Sequence, residues 1–179
     1  MGALFSGSIG LALYPLDAWF IFPLMILGGI IGGIFWAMIP TILKIKFNTN
    51  EILVSLMLVY VAEQILALAS VGFLRNPEGL GFPGSRDLSK YPSAANPELI
   101  ANSGIHLGVV FSVLAVISLT YFLIYHRLGF QIKLIGQAPK AAKFSGVNIN
   151  YIIIFCLGLS GGLAGIAGMF ELTGPAGLI

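Results

Sequence analysis

Apolar residues gather in four long runs, at residues 20–40, 52–74, 105–125 and 151–172, with polar and glycine- or proline-bearing stretches between them. Each run holds about twenty residues, the length an α-helix needs to cross ~30 Å of hydrocarbon. A shorter apolar, glycine-rich stretch at residues 1–13 cannot span alone. It is expected to be the tail of a longer helix, a re-entrant piece or a signal anchor. No positive residue precedes it, as a cleaved signal peptide would require. The pattern predicts an all-α integral membrane protein: a polytopic helix bundle of about four full spans plus a partial N-terminal apolar segment, forming one transmembrane domain over residues 1–179. No polar tail follows Gly174-Pro175, so the chain is expected to be a piece of a larger bundle.

Composition agrees. Hydrophobic residues make up 58% of the chain, charged residues 9%, and the mean hydropathy is +0.97. A soluble domain carries about 25% charged residues, so this chain lacks the polar surface to face water. The basic residues sit beside spans rather than on a soluble face, which argues against a nucleic-acid partner.

The placement of charge carries more than its total. Lys44 and Lys46 follow the first run, and residues 127–150 carry Arg127, Lys133, Lys140 and Lys143 with no acid. Residues 75–103 mix Arg75, Arg86 and Lys90 with Glu78, Asp87 and Glu98, and Asp17 precedes the first run. Because lysine and arginine near span ends favour the cytoplasm, 127–150 is expected inside, with 75–103 and Asp17 outside. The 75–103 loop is rich in proline and glycine, with a short helix expected near 97–101. It reads equally as a partner or gate surface and as a passive connector.

Small residues recur every four positions within two runs. Gly28 pairs with Gly32, and Gly29 with Gly33, Ala37 continuing the row; Gly161 pairs with Gly165, and Ala164 with Gly168. This spacing lets helix backbones approach closely where lipid gives no hydrophobic push, within one chain or between two.

Few polar residues lie at depth. Glu63 and Gln64 fall near the middle of the second run, where a carboxylate costs at least ~2.5 kcal/mol unless it faces protein or water. Tyr60, Glu63, Gln64 and Ala67 share one helical face, which either lines a translocation path or is held between helices. Glu171 ends the fourth run, where an interfacial carboxylate is cheap. Asn48 or Asn50 is expected to cap the second helix, with Glu51 at its positive end. Cys156 is the only cysteine, and His106 and His126 have no second ligand at metal spacing, so no metal site is expected.

In the inner loop, Ala141-Ala142 is followed after three residues by Gly146. Two alanines on a short helix with a glycine stop make a compact knob, and Gly146 is placed to need φ > 0.

That loop resembles the EAA-x-x-x-G coupling signature of ABC-importer permeases, with Lys140 where the glutamate stands. Residues 128–148 (LGFQIKLIGQAPKAAKFSGVN) are similar to the branched-chain amino acid/simple-sugar permease family, and within it to the nucleoside and simple-sugar branch. Residues 47–58 resemble that branch's N-E-x-x-x-T-L-M segment, and 160–168 its small-residue span. The resemblance covers most of residues 28–174. Ser55 stands for the branch's threonine, Val59 for its usual asparagine, and the chain is about half the family's length. The resemblance implies a multi-pass permease of a bacterial or archaeal inner membrane, importing nucleosides or simple sugars, with Gly136, Ala141, Ala142 and Gly146 coupling to an ATPase. A second permease subunit and an extracytoplasmic solute-binding protein are implied as well. No G-x-x-x-x-G-K-[ST] occurs, so ATP is expected to be used by the partner subunit, and this chain to be no enzyme and to bind no cofactor. The alternatives are a branched-chain amino acid permease, or a secondary transporter or membrane scaffold using Glu63 for protons or packing.

Overall fold

The computed structural model describes residues 1–13, 18–72, 74–76, 88, 96 and 106–174. Its helices are α1 (Gly2–Ala12), α2 (Ile21–Phe47), α3 (Glu51–Val71), α4 (Leu107–Tyr125), α5 (Arg127–Gln137), α6 (Pro139–Phe144) and α7 (Ile149–Thr173). Four of them, α2, α3, α4 and α7, are long and apolar enough to cross a bilayer. The chain is an integral membrane protein built as an all-α bundle.

Helix ends depart from the apolar runs where side-chain chemistry decides. α2 passes Pro40 and runs to Phe47, so Lys44 and Lys46 lie in its last turn rather than in a connection. Proline removes a single rung of the ladder. Around it, the Thr41 hydroxyl donates to the Ala37 carbonyl at 2.6 Å, and the two lysines sit at the negative end of the helix dipole. The helix stops at Asn48, whose φ of 51° is left-handed. Asn50 then caps α3, its side chain accepting from the Ile52 N–H at 3.0 Å. Lys44 Nζ meets Glu51 Oε2 at 2.6 Å across the corner. α3 ends at Val71, short of residue 74.

The small residues assign their own partners. Gly29 and Gly33 of α2 cross Gly161 and Gly165 of α7 in backbone contact: a Cβ on Gly29 would stand 2.9 Å from the Gly165 carbonyl oxygen, and one on Gly161 2.6 Å from that of Gly33. Gly28 and Gly32, one position round the helix, instead receive Ile9 and Phe5 of α1. The N-terminal segment is therefore a helix laid along the α2–α7 seam, with Gly2 against Gly165 and Ala3 against Gly168. These pairs pack within one chain.

At one end of this three-helix core Ile21, Met25, Leu88, Met169, Phe170 and Leu172 form a buried cluster. Phe170 meets Phe22 and Phe111, with ring centroids 6.1 and 5.1 Å apart. Leu88 is fully buried there, and the Asn96 N–H donates to the Thr173 carbonyl at 3.0 Å. The rest of 77–103, with the helix expected near 97–101, lies outside the described residues, as does Asp17. By contrast, α3 buries only Ala69 and α4 buries nothing.

Candidate functional site

Two places gather chemistry: the basic elbow between α4 and α7, and a cleft between α2, α3 and α7. The elbow begins at His126, where extended backbone (φ −90°, ψ 146°) turns the chain and Nδ1 accepts from the Leu128 N–H at 3.2 Å. Gly129 fits the bend because a Cβ there would lie 2.7 Å from the Leu123 Cα. α5 packs on α4, α6 and α7. Ala138 breaks the helix, and Pro139 opens α6 at a position where its missing N–H costs nothing.

Gly146 ends α6 as expected, with φ +77°. Its N–H donates to the Lys143 carbonyl at 3.2 Å and that of Val147 to the Ala142 carbonyl at 3.1 Å, the paired bonds of a Schellman stop. A Cβ at Gly146 would meet nothing within 4 Å, so the left-handed backbone rather than space demands glycine. Asn148 accepts from the Tyr151 N–H at 3.2 Å and starts α7.

This frame sorts the loop's residues. Ala142 is fully buried. Lys140, Ala141, Lys143 and Phe144 face out, Phe144 with 93% of its surface exposed. Gly136 sits exposed on α5 with open space beside it. At its α6 tip the elbow thus presents the Phe144 ring flanked by lysines, with Phe130 also exposed on α5. Phe144 escapes a reading of the Ala-Ala-x-x-x-Gly spacing because it occupies an unspecified position; its only mark is an aromatic residue in a basic loop.

The cleft is about 340 Å³, walled by Trp36 and Pro40 of α2, Ser55 and Val59 of α3, and Leu157 and Ser160 of α7, with Met1 and Gly2 at the start of α1 also on its wall. A second space of about 320 Å³ shares Pro40, Ser55, Val59 and Leu157 and reaches Glu51. The Ser55 hydroxyl donates to the Glu51 carbonyl at 2.7 Å. Tyr60, Glu63 and Gln64 lie on another face of α3, all exposed and outside this lining. Ser55 and Val59, the two positions in α3 that depart from the nucleoside and simple-sugar branch's pattern, are on it.

A third crevice, about 450 Å³ between α4 and α7, is mostly apolar, with His106 and Glu171 among its lining residues. Among the described residues, no group of three His, Cys, Asp or Glu side chains could hold a metal ion.

Comparison with known proteins places the chain. It is 30% identical over 165 residues to the glucose ABC transporter permease protein of Haloferax volcanii, covering 87% of this chain and 43% of that one. It is 26% identical to the nucleoside ABC transporter permease protein of Lactococcus lactis (82% and 42%) and 24% identical to the guanosine ABC transporter permease protein of Bacillus subtilis (85% and 43%). The chain thus spans about two-fifths of the length of these curated relatives. No solved structure matches it. Residues 1–177 match the family described as "Branched-chain amino acid transport system / permease component", and the chain belongs to that family.

Proposed function

We propose that this chain forms part of the transmembrane permease subunit of an ATP-driven ABC importer for nucleosides or simple sugars, in a bacterial or archaeal inner membrane. The observation that carries the reading is the α4–α7 elbow, a basic knob with an exposed aromatic tip in a chain whose relatives are named as sugar and nucleoside permeases. A cytoplasmic ATPase seats on the knob and hydrolyses the ATP, a second permease subunit completes the bundle, and an extracytoplasmic binding protein delivers solute. Ala141, Lys140, Lys143 and Phe144 make the contact; Ala142 and Gly146 hold its shape, and Gly136 lies beside it. The deciding experiment is purification from membranes: an ATPase that co-purifies, with ATP-dependent uptake of uridine or glucose, is the expected result. Uptake that needs no ATPase and follows a proton gradient would put the chain among secondary carriers. Branched-chain amino acid import, which the family's description favours, is separated by including leucine among the solutes.

The topology that goes with this reading puts 127–150 in the cytoplasm and 75–103 outside. Single cysteines at Lys143 and Ser89, in a Cys156→Ser background, should react oppositely with a membrane-impermeant thiol reagent on intact cells. Labelling is expected at position 89 and not at 143; the reverse pattern inverts the bundle.

The exposed stripe of Tyr60, Glu63 and Gln64 is the part of α3 that hydrocarbon covers worst. It lines a polar path beside the companion permease subunit. Glu63→Gln keeps shape and hydrogen bonding while losing charge, so membrane abundance should hold and uptake should fall. A collapse in abundance would assign Glu63 to packing, and unchanged uptake would remove it from the path.

A further inference from the structure

The cleft between α2, α3 and α7 has walls unlike the rest of the intramembrane surface. Trp36 stands half-buried on the α2 wall. Pro40 lies one turn on in the same wall. Ser55 faces it from α3; its hydroxyl hydrogen is committed to the Glu51 carbonyl, which leaves the oxygen lone pairs to accept. Ser160 is exposed on the α7 wall. One aromatic side chain and two serine hydroxyls on the walls of a largely apolar space of about 340 Å³ fit the usual make-up and size range of ~300–1,000 Å³ for small-molecule sites.

We propose that this cleft binds a hydroxylated ring, with Trp36 stacked on the solute and the Ser55 and Ser160 hydroxyls meeting those of the ring. The inference deepens the importer reading and rests on it for the class of solute. The ring is either a free sugar or the ribose of a nucleoside, whose base adds a second flat face for stacking. A lipid acyl chain is the competing occupant, since the cleft lies at membrane depth. Hydrocarbon would give the Ser55 and Ser160 oxygens no hydrogen-bonding partner, which is costly away from water.

The test isolates one ring. The chain has two tryptophans, and the other, Trp19, is 87% exposed. In the assembled transporter, the difference in emission between Trp19→Phe and Trp19→Phe/Trp36→Phe preparations reports Trp36 alone. Titration with uridine and with glucose should change that signal saturably, uridine quenching more strongly if a nucleoside is the occupant and glucose acting alone if a sugar is. Phosphatidylcholine with brominated acyl chains should quench Trp36 only weakly. At matched abundance, Trp36→Ala should lower uptake roughly tenfold or more, the scale of losing one stacked ring, while Trp36→Phe retains most of it. Unaltered Trp36 emission with both solutes, strong quenching by brominated lipid and normal uptake in Trp36→Ala would overturn the site while leaving ATP-dependent import standing. Saturable binding at Trp36 without ATP-dependent uptake would do the opposite: the site stands and the importer reading falls.

Discussion

Gly165→Leu is expected to remove most of the protein from the membrane. Gly165 lies in backbone contact with Gly29 and Gly33 of α2 and with Gly2 of α1, so one substitution forces three helices apart. Extra volume in a packed interior costs ~1–3 kcal/mol when flexible side chains can give way. Here the obstructing atoms are main chain, and the cost should reach or exceed the top of that range. Gly33→Leu should behave alike, because its Cβ would stand 3.0 Å from the Gly165 Cα. Gly158→Ala is the control: that residue is buried, yet nothing lies within 4 Å of its Cβ position. Its abundance and thermal midpoint should match or exceed wild type, as alanine favours the helix. The readout is subunit abundance in membranes and thermal aggregation in mild detergent. Wild-type behaviour of Gly165→Leu would mean that α2 and α7 do not cross at this depth.

Phe144→Asp should separate assembly from folding. The ring is almost wholly exposed on a short, doubly bonded helix stop, so its loss should leave abundance and thermal midpoint unchanged. An aromatic anchor at the centre of an interface is commonly worth ~2 kcal/mol or more, about 30-fold in affinity. Co-purification of the ATPase and ATP-dependent uptake should fall accordingly. Ala141→Glu, also on the outer face, should do the same. Ala142→Glu differs: it buries a carboxylate where the chain already encloses the methyl, and it should lower thermal stability together with coupling. Gly146→Leu strains a left-handed position by ~1–2 kcal/mol and should weaken coupling by fraying α6. If Phe144→Asp and Ala141→Glu retain wild-type ATPase association, the elbow is not the docking element.

Much of the bundle was legible in the apolar runs, because a span must be apolar over a fixed length whatever it packs against. Its ends were less so. α2 continues to Phe47 because the Thr41 bond and the terminal lysines make the extra turns favourable, which hydropathy does not register. Four-residue spacing identified the close-packing positions without naming their partners. Gly28 and Gly29 are neighbours in sequence but lie about 100° apart round the helix, and that angle sends one to α1 and the other to α7. Residues 1–13 were ambiguous because an apolar helix in a groove and one in lipid have the same composition. At the elbow, the glycine stop was readable from Ala-Ala-x-x-x-Gly, since few other residues accept φ +77°. The inward turn of Ala142 and the outward turn of Phe144 depend on how α5 seats α6, which no local pattern encodes. The cleft was hidden for a similar reason: Trp36, Ser55 and Ser160 sit in three different spans and converge only when α2, α3 and α7 meet.

The seam between α2 and α7 sets a timetable for biosynthesis. α1 can settle on Gly28 and Gly32 as soon as both have left the ribosome, because they are neighbours in the chain. The other face of α2 must wait: Gly33 and its partner Gly161 are 161 − 33 = 128 residues apart. At ~5–20 residues per second of synthesis, that face stays uncovered for about 6–26 s. Throughout that interval the helical hairpin depends on the insertion machinery or on lipid to shield the stripe, and this face is most open to mispairing or proteolysis before α7 arrives.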